Sequence, residues 1–252
     1  MAIAPSARDS AFDLDAAYAV EAALAAMRRD SGHAAVGRKV GFASKALWRK
    51  LKLETVVWAH MYADTVTYAP DNETSLSIAR MVSPKIEPEI VFKLREAPRP
   101  GSADAAAVLA AVEWLALGFE IIDCPYPDWK FQPVDFVATF GLHAALVVGA
   151  PRRIEPEERA RIGEELASFT VRLERDGQLV EEGSGAAVLR SPALCLAELA
   201  SAVARRADAE PLAAGELVSS GTLTTSQPIA AGQTWRASLE GLDLYPLTVH
   251  IE

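Results

Sequence analysis

The feature that most constrains the fold is an alternating pattern over residues 85–94, which read Lys-Ile-Glu-Pro-Glu-Ile-Val-Phe-Lys-Leu. Successive side chains of a β-strand point to opposite faces, so the pattern predicts a strand with Glu87 and Glu89 on one face. The other face is apolar and carries Ile86, Pro88, Ile90 and Phe92. Because proline has no N–H to donate, Pro88 predicts that this strand lies at a sheet edge or at an interruption of a ladder.

Two glutamates on one strand face stand about 7 Å apart between Cα atoms, and their like charges favour a cation between them. Mg²⁺ or Mn²⁺ is one interpretation, because hard cations select carboxylate oxygens. A solvated strand face is the other, since most glutamates are exposed. Glu120 favours the metal: it lies in the apolar run 119–122, and a buried carboxylate needs a cation or hydrogen bonds.

Helical spacing predicts five helices. The first packs through a stripe of Ala17, Val20, Leu24 and Met27 and ends at Ser31-Gly32. The others cover 44–53, the Ala-rich residues 103–117 that lead into the Glu120 strand, the charged residues 155–167, and residues 191–206, opened by Ser191-Pro192.

Strand signals fill the intervening segments. Lys39 lies in an extended segment between Gly37 and Gly41, and glycines so placed favour close approach of the backbone to a ligand. Asp176-Gly177 predicts a hairpin after the alternating residues 169–173, and residues 217–251 contain further short strands. No internal repeat or low-complexity linker is present, so residues 1–252 are predicted to form a single α+β domain.

Charge and cysteine usage exclude several classes of protein. The 25 Lys and Arg against 34 Asp and Glu leave a net charge of −9, which argues against binding to nucleic acid or to an anionic membrane surface. Cys124 and Cys195 have apolar neighbours and suit buried, reduced thiols. The N-terminal residues lack the pattern of a secretory signal, and no run of 18 apolar residues occurs. We therefore expect a soluble cytoplasmic protein.

Five motifs, in order along the chain, resemble those of the 2-keto-4-pentenoate hydratase and 4-oxalocrotonate decarboxylase group of the fumarylacetoacetate hydrolase superfamily. The motifs are Gly37-Arg-Lys-Val-Gly-Phe-Ala-Ser-Lys45, Ile86-Glu-Pro-Glu-Ile90, Phe119-Glu-Ile-Ile-Asp123 with Asp128-Trp-Lys130, Gly183-Ser-Gly-Ala-Ala-Val-Leu189 and Ser220-Gly-Thr-Leu223. The resemblance implies a mixed β-sheet roll with flanking helices. It divides the chain into an N-terminal helical region with the lysine segment (1–70) and a metal-binding β-roll core (71–252).

The resemblance also implies a site. By position, Glu87, Glu89 and Glu120 match three carboxylate ligands of Mg²⁺ or Mn²⁺, which binds a small 2-oxo or 2-hydroxy-dienoic acid. Lys39 matches a lysine that orients the anion or moves a proton. Lys130 and Asp64 are weaker catalytic candidates, with Asp128 as an alternative to Asp64. Thr222, Ser220 and Gly41 match positions near the substrate. A homo-oligomer is expected by the same resemblance.

Two segments depart from the group's pattern. Thr55-Val-Val-Trp58 replaces an acidic Glu-Pro-Asp-like segment, and Thr139-Phe140 replaces an Asp-Asn pair, so a candidate for activating water is missing. His60 and His143 lie within or beside these segments. Both are candidate proton carriers, although a single histidine in an apolar segment is commonly structural.

The leading hypothesis is therefore a metal-dependent hydratase acting on a substrate such as 2-hydroxypenta-2,4-dienoate. Decarboxylation of a 2-oxo acid of the 4-oxalocrotonate type uses the same electron sink, and carbon–carbon hydrolysis of an acylpyruvate is a third possibility. In another class, the chain is a catalytically weak subunit that binds a 2-oxo acid and supports a partner enzyme.

Overall fold

The computed structural model describes residues 2–252, and these residues contain two β-sheets. The larger sheet comprises β1 (Ala35–Gly41), β2 (Val57–Tyr62), β3 (Val66–Tyr68), β5 (Pro84–Leu94), β6 (Val112–Asp123), β7 (His143–Val148), β8 (Arg152–Arg153), β11 (Leu217–Thr222) and β12 (Gln227–Pro228). The smaller comprises β4 (Glu73–Leu76), β9 (Thr170–Arg175), β10 (Gln178–Ser184), β13 (Thr234–Glu240) and β14 (Leu247–Ile251). The helices are α1 (Pro5–Arg8), α2 (Leu14–Asp30), α3 (Lys45–Leu51), α4 (Ala105–Leu109), α5 (Pro133–Val137), α6 (Arg159–Ser168) and α7 (Pro192–Ala204).

The larger sheet curls into a roll. Its strand order is β2-β1-β11-β5-β6-β7-β3, with β12 beside β5 and β8 beside β6. Six inter-strand spacings would separate β2 from β3 by about 29 Å in a flat sheet. The chain from Tyr62 to Val66, which joins these two strands, spans at most about 14 Å. Because the pairings are both parallel and antiparallel, the predicted mixed β-sheet roll with flanking helices is confirmed.

Pro88 lies in the middle of the larger sheet, at an interruption of a ladder. Strand β5 pairs with β6 on one side and with β11 on the other, so it is not an edge strand. The register of β11 against β5 shifts between Ser219 and Thr222, beside Pro88. The Pro88 carbonyl accepts a hydrogen bond from the N–H of Leu223 (2.9 Å). The backbone acceptor of Pro88 is thus satisfied, although proline has no N–H to donate.

The helix predicted over 103–117 is wrong in its second half. Helix α4 ends at Leu109, and β6 begins at Val112. Residues 112–117 pair with β5 and bury Leu115 and Leu117 completely or almost so. Helix propensities of residues other than Gly and Pro differ by about 0.7 kcal/mol at most. Burial against β5 outweighs that preference, since fully burying one leucine side chain stabilises the fold by about 1.5–3 kcal/mol.

Helix α2 forms as predicted and buries Ala17, but the rest of its packed face differs from the predicted stripe. The Asp13 side chain accepts a hydrogen bond from the N–H of Ala16 (2.9 Å). Val20 and Met27 of the predicted stripe are 38% and 65% exposed. Glu21 is buried instead, because its carboxylate accepts from the backbone N–H of His60 (3.0 Å). A tertiary hydrogen bond therefore rotates the packed face away from the apolar stripe.

Other local predictions are confirmed. Asp176 and Gly177, with φ of 53° and 76°, form the turn between β9 and β10. Ser191 precedes α7, with Pro192 in its first turn. Both cysteines are free and buried.

One helical stretch of residues 2–252, Gly185–Ala204, is long and apolar enough to cross a membrane by length and composition alone. Positive φ at Leu189 and Arg190 interrupts it, so continuous helix is limited to the thirteen residues of α7. These rise about 20 Å, less than the roughly 30 Å of a bilayer core. The stretch is 61% buried inside the protein and packs on β11 and α4.

Candidate active site

Three carboxylates meet on one face of the roll. Glu87 pairs directly with Glu120 across β5 and β6, and Glu89 pairs with Gly118, which has no side chain. Cross-strand partners share a face, and Glu87 and Glu89 share it by alternation. One oxygen from each of the three carboxylates lies within 4.8 Å of the others. The cluster therefore needs both strands, because β5 supplies Glu87 and Glu89 and β6 supplies Glu120.

Lys39 lies beside this acid cluster. In β1 it is paired with Ser219 of β11, and its ammonium Nζ is 3.1 Å from Glu120 Oε2. Nζ also donates a hydrogen bond to the carbonyl oxygen of Gly141 (2.9 Å). Gly141 has φ of 62°, and a Cβ there would lie 2.6 Å from Lys39 Cδ. Only glycine leaves room for the lysine at this position.

His143 supports Glu120 from the other side. Its Nδ1 is 2.8 Å from Glu120 Oε1, and its Nε2 is 2.9 Å from Thr65 Oγ1. The Thr65 hydroxyl donates to the carbonyl oxygen of Tyr62 (2.9 Å), so it is available to accept from the ring nitrogen. The side chain of His143 is buried. Glu120 is thus held between a lysine and a histidine.

Glu89 is held by β11. The hydroxyl of Ser219 donates to Glu89 Oε2 (2.5 Å), and the backbone N–H of Gly221 donates to the same oxygen (2.8 Å). The side chains of Glu89 and Ser219 are fully buried or nearly so. These bonds orient the carboxylate and leave its second oxygen, Oε1, free to face the cluster.

Burial and mutual charge separate the pKa values of the three carboxyls. Burial raises the pKa of Glu87 to about 7, with Glu120 adding to the rise and Lys39 opposing it. Burial and the charges of Glu120 and Glu87 raise the pKa of Glu89 well above its ordinary value. Burial acts on Glu120 in the same sense, but Lys39 and His143 together lower its pKa. Burial therefore favours the neutral form of the two β5 carboxyls, whereas Lys39 and His143 favour the charged form of Glu120.

The acid cluster fits a divalent cation. Glu89 Oε1 is buried and has no hydrogen-bond partner among the described residues, and Glu120 Oε2 contacts the Lys39 ammonium at 3.1 Å. Buried polar atoms are nearly always partnered, so an unpartnered carboxylate oxygen beside two further carboxylates indicates a bound ligand. A hard cation such as Mg²⁺ or Mn²⁺ suits oxygen donors and removes the repulsion among three anionic groups.

A cavity of about 640 Å³ opens over the cluster. Lys39, Glu87 and Glu89 lie in its wall, as do the predicted substrate residues Gly41 and Thr222. The rest of the wall is largely apolar and aromatic, with Phe42, Leu47, Ile122, Trp129, Phe131, Phe136, Leu142 and Leu223. The arrangement offers a polar end for a chelating acid group and an apolar chamber for the remainder of a small molecule.

Asp64 and Lys130 do not belong to this site. The Asp64 carboxylate accepts hydrogen bonds from Arg28 (2.7 Å) and lies 3.1 Å from His33 Nδ1, so its charge is already paired. The Lys130 side chain is 81% exposed and pairs with Asp128 (3.2 Å). Neither residue lines the cavity. The catalytic roles expected for them are corrected: both are surface ion pairs.

His60 and Ser220 face away from the acid cluster. Lys39 pairs with Ala59, whereas His60 pairs with Arg38, so His60 lies on the opposite face of β2 and its Nδ1 contacts Glu21 (2.6 Å). Alternation likewise places Ser220 on the face opposite Ser219, and its buried hydroxyl has no partner among the described residues. The roles expected for His60 and Ser220 are therefore corrected. Alternation along β11 shows that Ser219 and Ser220 lie on opposite faces. Only the pairing with β5 shows that Ser219 is the one that contacts Glu89.

Comparison with known proteins identifies the family. No family model matches the chain. A 2-hydroxyhexa-2,4-dienoate hydratase of Comamonas testosteroni is 30% identical over 226 residues, which are 90% of this chain and 82% of that protein. A 4-oxalocrotonate decarboxylase of a Pseudomonas species is 30% identical over 234 residues, 93% of this chain and 86% of its own. The chain belongs to the 2-keto-4-pentenoate hydratase and 4-oxalocrotonate decarboxylase family.

Solved structures agree with the family assignment. The 4-oxalocrotonate decarboxylase of Pseudomonas putida G7, complexed with magnesium and adipate, superposes with a TM-score of 0.85 at 26% identity, over 99% of this chain and 90% of that one. The fumarylpyruvate hydrolase of Pseudomonas aeruginosa, in complex with Mn²⁺ and pyruvate, has a TM-score of 0.63 at 16% identity and shows the shared fold. The hydratase and decarboxylase family thus lies within the fumarylacetoacetate hydrolase fold.

The two segments that depart from the family pattern supply no acid to the cavity. Val57 is buried in β2, and the Thr55 hydroxyl donates to Glu198 (2.5 Å). The Thr139 hydroxyl is hydrogen-bonded to that of Tyr126 (2.5 Å). In this member of the family, both segments are therefore occupied by packing and local hydrogen bonds, and the ionisable groups of the cavity come from other strands.

Proposed function

We propose that the protein is a divalent-metal-dependent lyase that hydrates a small 2-hydroxy-dienoic or 2-oxo acid such as 2-hydroxypenta-2,4-dienoate. The carrying observation is the cluster of Glu87, Glu89 and Glu120 beside the cavity, with Glu89 Oε1 buried and unpartnered among the described residues. Membership of a family whose named relatives are hydratases and decarboxylases supports this activity.

The three glutamates would hold Mg²⁺ or Mn²⁺. When bound, such a cation polarises the 2-oxo group of a chelating acid and stabilises the negative charge that develops there. The protein itself holds Glu89 through Ser219 and Gly221, and Glu120 through His143 and Lys39. These contacts keep the carboxylates in one orientation before a ligand arrives.

Lys39 is the proposed proton-transfer and anion-orienting group. Its ammonium has three protons, of which one is donated to Gly141 and one is directed at Glu120. The third can reach the substrate carboxylate or a reacting carbon. The Phe136 ring centroid lies 4.6 Å from Nζ and limits the water around it. Gly41 and Thr222 are proposed to contact the substrate because both lie in the cavity wall.

Decarboxylation of a 4-oxalocrotonate-type acid is the second candidate. The observation favouring it is the similarity to the Pseudomonas putida decarboxylase over nearly the whole chain. Carbon–carbon hydrolysis of an acylpyruvate would use the same metal platform. The altered segments leave no acid there to activate water, which also permits a catalytically weak subunit that binds a 2-oxo acid.

The test is incubation of the Mg²⁺-loaded protein with 2-hydroxypenta-2,4-dienoate, 4-oxalocrotonate, acetylpyruvate or oxaloacetate, followed by ultraviolet absorbance. Hydration is expected to remove the diene absorbance. Glu87→Gln and Glu120→Gln should lose bound metal, measured by elemental analysis, and activity while remaining folded. Glu157→Gln, on the exposed surface, is the matched control. Metal binding without turnover of any acid would favour the non-catalytic subunit, and metal retained by both variants would refute the ligand set.

We further propose a homo-oligomer located in the cytoplasm. The named relatives are bacterial catabolic enzymes acting on small acids, which suits a cytoplasmic site of action. Sedimentation of the purified protein tests the assembly, and a monomer at micromolar concentration would contradict it. Fractionation of the expressing cells tests the location.

A further inference from the structure

Positive and negative side chains are distributed unevenly along the cavity wall. Among residues 2–252, Lys39 is the one cationic side chain that lines the cavity, and it is engaged at the acid cluster. Away from that cluster the ionisable lining residues are Glu181 and Glu182 of β10, and Glu182 pairs with Arg172 on the strand face opposite Glu181. A ligand group that extends beyond the cluster therefore meets the Glu181 carboxylate and no lining cation.

The threonine hydroxyls near Glu181 are already committed as donors. Thr222 Oγ1 donates to the carbonyl oxygen of Thr224 (2.9 Å), Thr224 Oγ1 to that of Thr225 (3.1 Å), and Thr225 Oγ1 to Glu181 Oε2 (2.5 Å). These hydroxyls present only lone pairs to the cavity. Ser44, Ser184 and Ser226 also line it, but a neutral hydroxyl cannot balance a charge.

Glu181 keeps its place through several bonds. Its carboxylate accepts from the N–H of Thr225 (3.0 Å) and from Nε2 of Gln227 (2.8 Å) as well as from the Thr225 hydroxyl. It therefore cannot swing aside easily to admit an anion. Glu182 pairs across the ladder with the exposed Arg172, at 3.4 Å, on the face of β10 opposite Glu181, so its carboxylate faces solvent and is screened by water.

We propose that this cavity selects acids with a single carboxylate and an apolar tail, and that Glu181 excludes substrates ending in a second carboxylate. The first carboxylate is directed to the metal and Lys39, which rests on the proposed function. A second carboxylate would lose water without gaining a cation and would face like charges. An alkyl or alkenyl tail would instead pack on Phe131, Trp129 and Leu47.

The names of the relatives supply a matched pair of acids. 2-Hydroxyhexa-2,4-dienoate and 4-oxalocrotonate both have six carbons, and they differ chiefly at C6, which is a methyl group in one and a carboxylate in the other. The Pseudomonas putida decarboxylase was solved with adipate, a dicarboxylate. The acidic wall predicts the opposite preference for this chain.

The experiment measures kcat/KM for both acids with the Mg²⁺-loaded protein, and the dissociation constants of the unreactive acids 2-oxohexanoate and 2-oxohexanedioate by calorimetry. We expect the monocarboxylate to be preferred by about 100-fold in each comparison, as for an unpaired buried polar group. Equal or stronger binding of the dicarboxylate overturns the proposal. If neither acid is turned over, the proposed activity fails, but the two dissociation constants still decide the selectivity.

A charge-removing variant identifies the residue responsible. In Glu181→Gln, the ratio of monocarboxylate to dicarboxylate affinity should fall about tenfold, because the repulsion is removed while the side-chain size is kept. Glu182→Gln removes the same charge from the opposite face of β10 and should keep the ratio. An unchanged ratio in Glu181→Gln, or an equal fall in Glu182→Gln, would refute the assignment to Glu181.

Discussion

Replacing Ser219 with alanine gives the most direct test of how the acid cluster is held. The Ser219 hydroxyl donates to Glu89 Oε2 at 2.5 Å, and it favours the ionised form of that carboxyl by lowering its pKa. A metal ligand must be ionised. The hydrogen bond is therefore stronger when Glu89 is ionised as a metal ligand than in the metal-free protein, where burial raises the pKa of that carboxyl and favours its neutral form.

The magnitude follows from the kind of bond removed. A hydrogen bond to a charged group contributes about 1.5–3 kcal/mol, and a factor of ten in affinity corresponds to about 1.4 kcal/mol. The N–H of Gly221 still donates to the same oxygen in the variant. We therefore expect the lower part of that range, a dissociation constant for Mg²⁺ or Mn²⁺ that rises about 10- to 30-fold, in keeping with other residues that orient metal ligands.

The assay is calorimetric titration of metal into metal-free protein at pH 7.5, with circular dichroism to verify folding. Ser220→Ala is the matched control, because Ser220 is equally buried but its hydroxyl has no partner among the described residues. It should bind metal like the unaltered protein. A dissociation constant within twofold of the unaltered value in Ser219→Ala, or an equal loss in Ser220→Ala, would refute the role assigned to Ser219.

Three further predictions concern pH, Lys39 and the histidines. The pKa of Glu87 rises from 4.5 in a free chain to about 7 in the folded protein. Between these values the folded, metal-free protein binds more protons than the unfolded chain. The free energy of unfolding of the metal-free protein should therefore decline as the pH rises from 5 to 8. Mg²⁺ should consequently raise the unfolding midpoint more at pH 8 than at pH 5; an equal rise in thermal melts would contradict this. Lys39→Met should lower kcat at saturating metal by about 100-fold or more, as expected for a proton-transfer group, and kcat within tenfold of the unaltered value would exclude that role. His143→Ala should weaken metal binding about tenfold, because His143 orients Glu120. His60→Ala should keep the metal affinity but lower the unfolding midpoint, because Glu21 loses its buried partner. The reverse pattern would show that the faces of β2 are misassigned.

Local sequence predicted the elements whose signals are contained in a few neighbouring residues. The helix start at Ser191-Pro192, the Asp176-Gly177 turn and the common face of Glu87 and Glu89 depend on backbone geometry over two to four residues. The start of β6 was not predictable in this way. Its Ala-rich residues favour a helix in isolation, and only the presence of β5 beside them makes the strand more stable.

The residues of the candidate site also divide into those that the sequence predicted and those that it did not. Lys39 and the three glutamates were recognisable from their motifs, but Ser219 and Gly141 were missed, since a serine pair and a single glycine give no signal without a register. His143 and His60 had equivalent sequence surroundings. Cross-strand pairing places one beside Glu120 and the other against α2.

The sequence by itself determined the chemical character of the protein: an alternating strand with two acids on one face, a buried third acid, a lysine between glycines, and a family resemblance carried by these motifs. The tertiary structure decided which groups act together. Side-chain alternation is a property of one strand. The distance from Glu87 to Glu120, the serine that contacts Glu89 and the acid that faces the apolar chamber depend instead on register between strands far apart in the chain. A shift of one residue in register reverses the face of every side chain in a strand, and register is set by the packing of the whole roll.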